Sequence, residues 1–312
     1  MFSDWRNREQ SCRTSDESDA RSSRVNSVMR RIWSLPVMLL VFLLVLEATA
    51  PAADARARAK EFPIPTAPAG PGGITTGPDG SLWFAEQVSN AVGRITTSGV
   101  FTDFPLPTDS SSPERIAAGP DGNLWFTELS ADKIGRITTS GAVTEFSIPS
   151  YDSYPYGITA GPDGNLWFTE WRSAKIGRIT TTGEFTEFSI PTIGPYSLGV
   201  ASGADGNIWF TEINGNKIGR ITMAGVFTEF SIPTSNGGPA GIAAGPDGNL
   251  WFTESFADKI GRITTSGAIT EFSIPTAGAW SVGIAAGPDG NIWFTEFFGE
   301  NIGAFRPSSA KG

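Results

Sequence analysis

A four-residue motif, Trp-Phe-(Thr/Ala)-Glu, occurs six times in this chain at a constant spacing of 42 residues. Its tryptophans are Trp83, Trp125, Trp167, Trp209, Trp251 and Trp293. A period of about forty residues, in which short apolar runs alternate with turn residues, is typical of a β-propeller. Because one repeat cannot bury its own apolar face, the six copies predict a single closed array.

One repeat contains four short runs that we interpret as antiparallel strands. In the third repeat they are Gly157–Ala160, Leu166–Glu170, Lys175–Thr180 and Thr186–Ile190. The segment Pro162-Asp163-Gly164 suits a tight turn, because proline fixes φ and glycine accepts a positive φ. The sequence therefore predicts an all-β, six-bladed propeller of four-stranded blades. The glycine in each third strand, Gly135 for example, is expected to leave room for the repeated tryptophan.

The two ends of the array predict how the ring closes. Glu61–Pro65 has the sequence of a fourth strand with no repeat before it, whereas the last repeat ends after its third strand at Ile302–Phe305. A first segment that completed the last blade would remove two exposed sheet edges. We therefore predict that residues 61–312 form a propeller closed by its N-terminal strand.

The residues before the repeats have the order of a secretory signal peptide. Arg30 and Arg31 precede the apolar run Ile32–Leu46, and small residues follow it. This run is shorter than the roughly 20 residues that span a bilayer as a helix, although an uncleaved anchor is the alternative. We predict an N-terminal extension with a signal peptide over 1–50, a linker over 51–60, and a secreted or periplasmic protein.

Composition excludes several kinds of chemistry. The chain has no histidine, and its one cysteine, Cys12, lies in the segment that a signal peptidase would remove. A mature chain would therefore lack thiolate sites and the side chain most often used for proton transfer. A net charge of −9 without a basic stripe argues against binding to nucleic acid. The expected partner is a small molecule, glycan or peptide, and the expected state is a monomer that contacts membrane only through an uncleaved signal segment.

The repeated residues GPDGNLWFTE, KIGRITTSG and TEFSIPT resemble the virginiamycin B lyase (streptogramin lyase) family of propellers. The resemblance covers every repeat and implies the fold more specifically than the activity, since these residues form the scaffold. It implies a lyase that uses histidine and Mg²⁺ to open an ester-linked ring by elimination. The family is known as seven-bladed, so the chain is either a six-bladed relative or one that lacks a unit.

The family's histidines follow the proline of a Pro-x-(Gly/Ala)-Ile pattern at the start of the innermost strands. No histidine occupies the matching positions here, which are Gly72, Glu114, Tyr156, Leu198, Ala240 and Val282. A glutamate can replace histidine as a base where its pKa is suitable, so Glu114 is the candidate catalytic residue. Arg115, which stands where other repeats have glycine, is expected either to orient a polar ligand or to pair with Glu114.

Differences between the repeats are confined to the fourth-to-first and second-to-third loops, which emerge at one end of an up-and-down blade. Aromatic residues concentrate there. Amphipathic aromatics around a concave mouth suit a planar, sugar or peptide ligand, while packing of the loops onto the ring is the alternative. The predicted ligand-binding residues are Arg115, Tyr151, Tyr154, Tyr156, Trp171, Tyr196, Trp280 and Phe297.

The glutamate that ends each repeated motif is expected to be structural, because a lysine five residues later and a third-strand arginine can pair with it. Two copies depart from this pattern. Ala91 replaces the lysine near Glu86, and Asn301 and Ala304 replace both cations near Glu296. Together with Glu300, these glutamates form a candidate Mg²⁺ or Ca²⁺ site, since both ions prefer oxygen ligands. A solvated last blade is the alternative.

Two functions from different classes follow from these observations. The first is a secreted binding propeller without lyase activity. The second is a metal-assisted lyase or hydrolase, opening a cyclic ester or a related substrate, that uses Glu114, Glu86 or Glu296.

Overall fold

The computed structural model describes residues 61–307, which form six antiparallel β-sheets and, within that range, no helix. Accordingly, none of these residues belongs to a helix long and apolar enough to cross a membrane. The predicted signal peptide and linker, residues 1–50 and 51–60, lie outside the described residues, as do residues 308–312.

Each sheet contains consecutive strands in chain order. The first strands are β1 (Pro71–Thr76), β5 (Pro113–Ala118), β9 (Pro155–Ala160), β13 (Val200–Ser202), β17 (Pro239–Ala244) and β21 (Ser281–Ala286). The second strands are β2 (Leu82–Glu86), β6 (Leu124–Glu128), β10 (Leu166–Glu170), β14 (Ile208–Glu212), β18 (Leu250–Glu254) and β22 (Ile292–Glu296).

The third strands are β3 (Ala91–Ile95), β7 (Lys133–Ile137), β11 (Lys175–Ile179), β15 (Lys217–Ile221), β19 (Lys259–Ile263) and β23 (Asn301–Phe305). The fourth strands are β4 (Phe101–Pro105), β8 (Val143–Ser147), β12 (Phe185–Ser189), β16 (Phe227–Ser231) and β20 (Ile269–Ser273). The first strands of all six sheets surround one central cavity, and the sheets are the blades of a ring. The predicted six-bladed propeller is confirmed.

The core lies between neighbouring blades. Trp125 of the second blade packs with Ile158, Leu166 and Phe168 of the third, and all four side chains are buried. A fourth-strand phenylalanine stacks on each of the first five tryptophans, with ring centroids 5.4–5.7 Å apart. Burial of this aromatic area is the main favourable term that holds one blade against the next.

The third-strand glycine faces a different ring from the one that the sequence predicts. A Cβ on Gly135 would lie 2.1 Å from the Phe126 ring, whereas Trp125 packs over Gly119 in the turn before its strand. The cross-strand register explains this, because Gly135 is directly opposite Phe126. The expectation that the tryptophan occupies this space is therefore wrong. Glycine is still required at this position, because a Cβ would overlap the Phe126 ring.

The N-terminal segment lies beside the first blade as predicted, but it does not pair with the last blade as a strand. The sixth sheet has three strands, β21-β22-β23, and residues 61–65 form no strand. They lie against the first blade, where Phe62 packs on Gly99 and the Thr66 hydroxyl donates to Asp103. A fourth strand makes the same contacts with the blade that follows it, as Phe104 does with Gly141. Ala59 stands in sequence where complete fourth strands begin with Phe, Val or Ile.

Candidate functional site

The two variable loops of each blade meet at one end of the ring. Asn90, in the turn between β2 and β3, accepts hydrogen bonds from the backbone and hydroxyl of Ser111 at 2.8 and 2.9 Å. Its amide donates to the Thr108 carbonyl at 2.8 Å. Asp132 binds the next loop in the same way, through Ser153 and Tyr154. This end therefore carries the variable residues on hydrogen-bonded loops.

The central cavity opens among the starts of the six first strands. Its volume is about 300 Å³, and most of its wall is glycine or aliphatic. Arg115 and Tyr156 are the polar exceptions among the lining side chains. A small cavity lined by apolar side chains, with a few convergent polar groups, is the usual form of a ligand site.

A β-bulge at the start of β5 sets the direction of the polar side chains. Pro113 is opposite Glu128 and Ile116 is opposite Phe126, so that β5 has one more residue than β6 across this interval. Such a bulge bends the strand and re-aims its side chains. Because the bulge falls on Glu114 and Arg115, Arg115 lines the cavity while Glu114 is buried beside it.

The threonine of the repeated motif connects neighbouring blades beneath the cavity. The Thr127 hydroxyl accepts from the Arg115 N–H at 3.1 Å and donates to the Tyr156 carbonyl at 2.9 Å. Thr169 repeats the arrangement one blade further, between the Gly157 N–H and the Leu198 carbonyl. These bonds fix the backbone from which the lining side chains project.

Arg115 and Tyr156 form one polar cluster with Glu114. The Arg115 guanidinium donates to the Tyr156 hydroxyl at 3.0 Å and lies 5.1 Å from the ring centroid. Glu114 is buried and accepts a hydrogen bond from the Gln87 amide. Burial raises the pKa of the Glu114 carboxyl, and the Arg115 charge and a hydrogen bond from Tyr156 act in the opposite direction.

Two glycines of β1 make room for this cluster. A Cβ on Gly72 would lie 2.7 Å from the Glu114 carbonyl, and one on Gly73 would lie 2.9 Å from the Arg115 Cα. The first blade can therefore approach β5 closely only with glycine at both positions. This close approach also brings Gln87, from the end of β2, to Glu114.

The remaining predicted aromatics lie on the loops in two separate clusters. Trp171 contacts both Tyr154 and Tyr196, with ring centroids 6.2 and 5.3 Å apart. On the far side, Trp280 and Phe297 both contact Phe298. Tyr151 is exposed. The structure therefore brings together Arg115, Tyr156 and Glu114, and it leaves the loop aromatics outside the cavity wall.

The predicted metal ligands do not converge. No group of three acidic, histidine or cysteine side chains suited to a metal exists among residues 61–307. Glu86 is buried and accepts from the Ser89 hydroxyl at 2.5 Å, Glu296 accepts from the Asn301 amide at 3.2 Å, and Glu300 is exposed. These residues do not fit Mg²⁺ or Ca²⁺, which take six or more oxygen ligands in most sites.

The repeated glutamates are buried without the ion pairs that the sequence predicts. Lys133 pairs with Glu145 of β8 at 2.8 Å, and both carboxyl oxygens of the buried Glu128 lack a hydrogen-bond partner within the described residues. Burial and the neighbouring Glu145 raise the pKa of Glu128 to about 7. Arg178 lies 3.7 Å from Asp163 in the tight turn, rather than beside Glu170.

Sequence reasoning missed two groups of site residues. Gln87 was not singled out, because it lies 27 residues from Glu114 and only the ring brings the two together. Leu198, Val282 and the strand isoleucines were named as pattern positions and not as cavity wall. The Pro-x-(Gly/Ala)-Ile pattern was the available signal, since five of its six x positions line the cavity.

These features define a β-propeller with a small central cavity at its variable end. The virginiamycin B lyase family model matches residues 52–195 and again residues 158–310. The chain therefore belongs to the virginiamycin B lyase family.

Solved structures agree with this assignment. The chain is 44% identical to selenomethionine-substituted virginiamycin B lyase from Staphylococcus aureus, with a TM-score of 0.72 over 77% of this chain and 86% of that one. A catalytically inactive histidine-to-alanine variant of the same enzyme, with quinupristin, matches at 42% identity and a TM-score of 0.76 over 79% and 87%. A streptogramin B lyase matches at 38% identity and 0.74 over 80% and 87%.

Proposed function

We propose that this chain is a secreted or periplasmic propeller that binds a small molecule, glycan or peptide at the mouth of its central cavity. The observation that carries the proposal is the cavity of about 300 Å³ whose lining side chains are all apolar except those of Arg115 and Tyr156. A ligand with an apolar body and an acceptor group fits such a wall, because the guanidinium keeps donors beyond the one used by Tyr156.

Histidine chemistry is not part of this function. A histidine-to-alanine change makes the Staphylococcus aureus enzyme catalytically inactive, and this chain contains no histidine. Binding without turnover needs only the cavity and its polar cluster. Trp171, Tyr196 and Trp280, on the surrounding loops, add amphipathic surface for the part of a ligand that projects from the mouth.

Calorimetric titration with quinupristin tests binding, and mass spectrometry of the same mixture tests turnover. We expect saturable binding, no linearised product, and at least a tenfold weaker affinity in Arg115→Ala, because a charged hydrogen-bond donor is lost. Arg172→Ala is the matched control, since Arg172 lies over Tyr154 outside the cavity. Equal affinities of the Arg115→Ala and Arg172→Ala variants would show that the ligand binds outside the cavity. Unfolding of Trp171→Ala or Trp280→Ala would show that these aromatics pack the loops.

The alternative function is a lyase or hydrolase in which Glu114 removes a proton. Burial raises the pKa of this carboxyl, which makes its ionised form a stronger base. Residues 61–307 contain no group of side chains that could bind the metal ion of a metal-assisted reaction. Linearised quinupristin, formed with or without Mg²⁺ and lost in Glu114→Gln, would establish this alternative in place of simple binding.

A further inference from the structure

Arg115 occupies a position where every other blade has glycine. The corresponding residues are Gly73, Gly157, Gly199, Gly241 and Gly283. The Arg115 N–H donates to the Thr127 hydroxyl at 3.1 Å, and the Gly157 N–H donates to the Thr169 hydroxyl at 2.8 Å. Because glycine makes the same backbone bond, the packing of the blades does not require a side chain at this position. The Arg115 side chain instead forms part of the cavity wall.

The hydrogen bonds of the polar cluster leave most of the Arg115 donors unused. Glu114 accepts from the Gln87 amide and from the Tyr156 hydroxyl, and that hydroxyl accepts from the guanidinium at 3.0 Å. A guanidinium has five N–H donors, and this is the only hydrogen bond of the Arg115 side chain to the described residues. None of its nitrogens is fully buried without a partner within residues 61–307, so the other donors can be reached from the cavity.

The positive charge of Arg115 also lacks an ion pair among the described residues. Arg178, in contrast, lies 3.7 Å from Asp163. Tyr156 offers Arg115 only neutral contacts, which are its hydroxyl and a ring centroid at 5.1 Å. Burial raises the pKa of the Glu114 carboxyl, so Glu114 is a weaker counter-charge than an exposed glutamate. A charge in a poorly hydrated wall is costly unless an opposite charge meets it.

The rest of the wall favours a ligand with an apolar body and one negative charge. Arg115 is the only charged residue among the described residues that line the cavity, and the side chains other than those of Arg115 and Tyr156 are aliphatic. A phosphate or a dicarboxylate would bring a second negative charge for which this wall has no cation. A carboxylate brings one charge, and its two oxygens match the planar guanidinium fork.

We propose that the ligand of this cavity is a small monocarboxylate with an apolar body, and that its carboxylate binds the Arg115 guanidinium. This ligand class rests on the proposed function, in which the cavity is the binding site. Leu198 and Val282 of the wall contact the apolar body, and the Tyr156 hydroxyl holds the guanidinium in place. The cavity volume of about 300 Å³ is at the lower end for ligand sites, which limits the body to a small group.

Phenylacetate and phenylacetamide test the proposal, because the two compounds have the same apolar body and differ in charge. Calorimetric titration of the full chain at neutral pH should show that the acid binds at least about tenfold more tightly than the amide. Arg115→Gly should abolish this preference, and it introduces the residue that the other blades carry, so the fold should be retained. Arg115→Lys keeps the charge without the fork and should retain part of the preference. Arg172→Ala, outside the cavity, is the matched control and should retain all of it.

The results that would overturn the proposal differ in what they imply for the proposed function. Equal affinity for the two compounds, or binding of neither, would refute the carboxylate but not the binding function if quinupristin still bound in an Arg115-dependent manner. A preference for the acid that persists in Arg115→Gly would show that the anion binds elsewhere. Absence of binding by phenylacetate, phenylacetamide and quinupristin alike would refute both the ligand class and the binding function.

Discussion

At the scale of single residues, small side chains determine how closely the repeated aromatics pack. The sequence identified Gly135 and its copies as places where a large ring needs space, but it named the wrong ring. The period of 42 residues fixes which residues correspond between blades. It does not fix which residue of β6 lies opposite Gly135, because that depends on the register of the hairpin, and the register selects Phe126.

Gly135→Ala should destabilise the protein by about 1–3 kcal/mol, because a methyl group would overlap a buried ring. Chemical denaturation with intrinsic tryptophan fluorescence measures the change. The double variant Gly135→Ala, Phe126→Leu is the control, since a smaller partner relieves the overlap and the two effects should then not add. Simple additivity would contradict this explanation.

In the candidate site, too, some residues could be recognised from the sequence and others could not. Arg115 and Glu114 were recognisable because they interrupt a repeated glycine pattern, and the structure does place Arg115 in the cavity wall. Gln87 carries no such signal, because the second-to-third loop varies in every repeat. Only the close approach permitted by Gly72 and Gly73 makes it a partner of Glu114.

At the scale of strands, the lysines serve a different carboxylate from the predicted one. Lys259 has Glu254 opposite it in the neighbouring strand, yet its ammonium lies 3.3 Å from Glu271 of β20. Both acids lie within 12 residues of Lys259 in the sequence, which does not indicate which of them the lysine contacts. The two carboxyls consequently differ in pKa. Burial and the nearby Glu271 raise the pKa of Glu254 to about 8, whereas the pKa of Glu271 is lowered despite burial by hydrogen bonds from Thr234 and Lys259.

Glu254→Gln should become more stable relative to the native chain as pH rises. Folded Glu254 keeps its proton up to about pH 8, while the unfolded group loses it near pH 4.5, so the native chain loses stability across this interval. Glutamine carries no proton to lose and can still donate to Glu271. We expect a relative gain of roughly 1–3 kcal/mol between pH 5 and 8, measured by urea denaturation.

Glu296→Gln is the matched control for this prediction, because the sixth blade has no fourth-strand glutamate among the described residues. The same urea series on this variant separates the effect of the Glu254 and Glu271 pair from the effect of replacing a repeated glutamate in general. A Glu254→Gln variant whose advantage is constant from pH 5 to 8 would show that the carboxyl is already ionised in the folded protein.

At the scale of the whole molecule, the repeat predicted the ring and the number of blades, but it could not predict the state of the last junction. Sequence similarity between Glu61–Pro65 and the fourth strands indicated a closing strand. Pairing also depends on where the rest of the ring places β23 relative to that segment, which is a property of all the blade-to-blade contacts together. The structure holds residues 62 and 66 on the first blade and leaves one wall of the sixth uncovered.

Hydrogen exchange should therefore find the sixth blade the easiest to open. β22 and β18 each have a hydrogen-bonded strand on both sides, so their amides are equally protected within their own sheets. They differ in what packs on them: Trp251 is buried between two blades, whereas Trp293 is 40% exposed. Since local opening free energy follows buried apolar contact, amides of β22 should exchange at least tenfold faster than those of β18, a difference of about 1.4 kcal/mol. Equal rates would mean that the wall next to Trp293 is covered in solution.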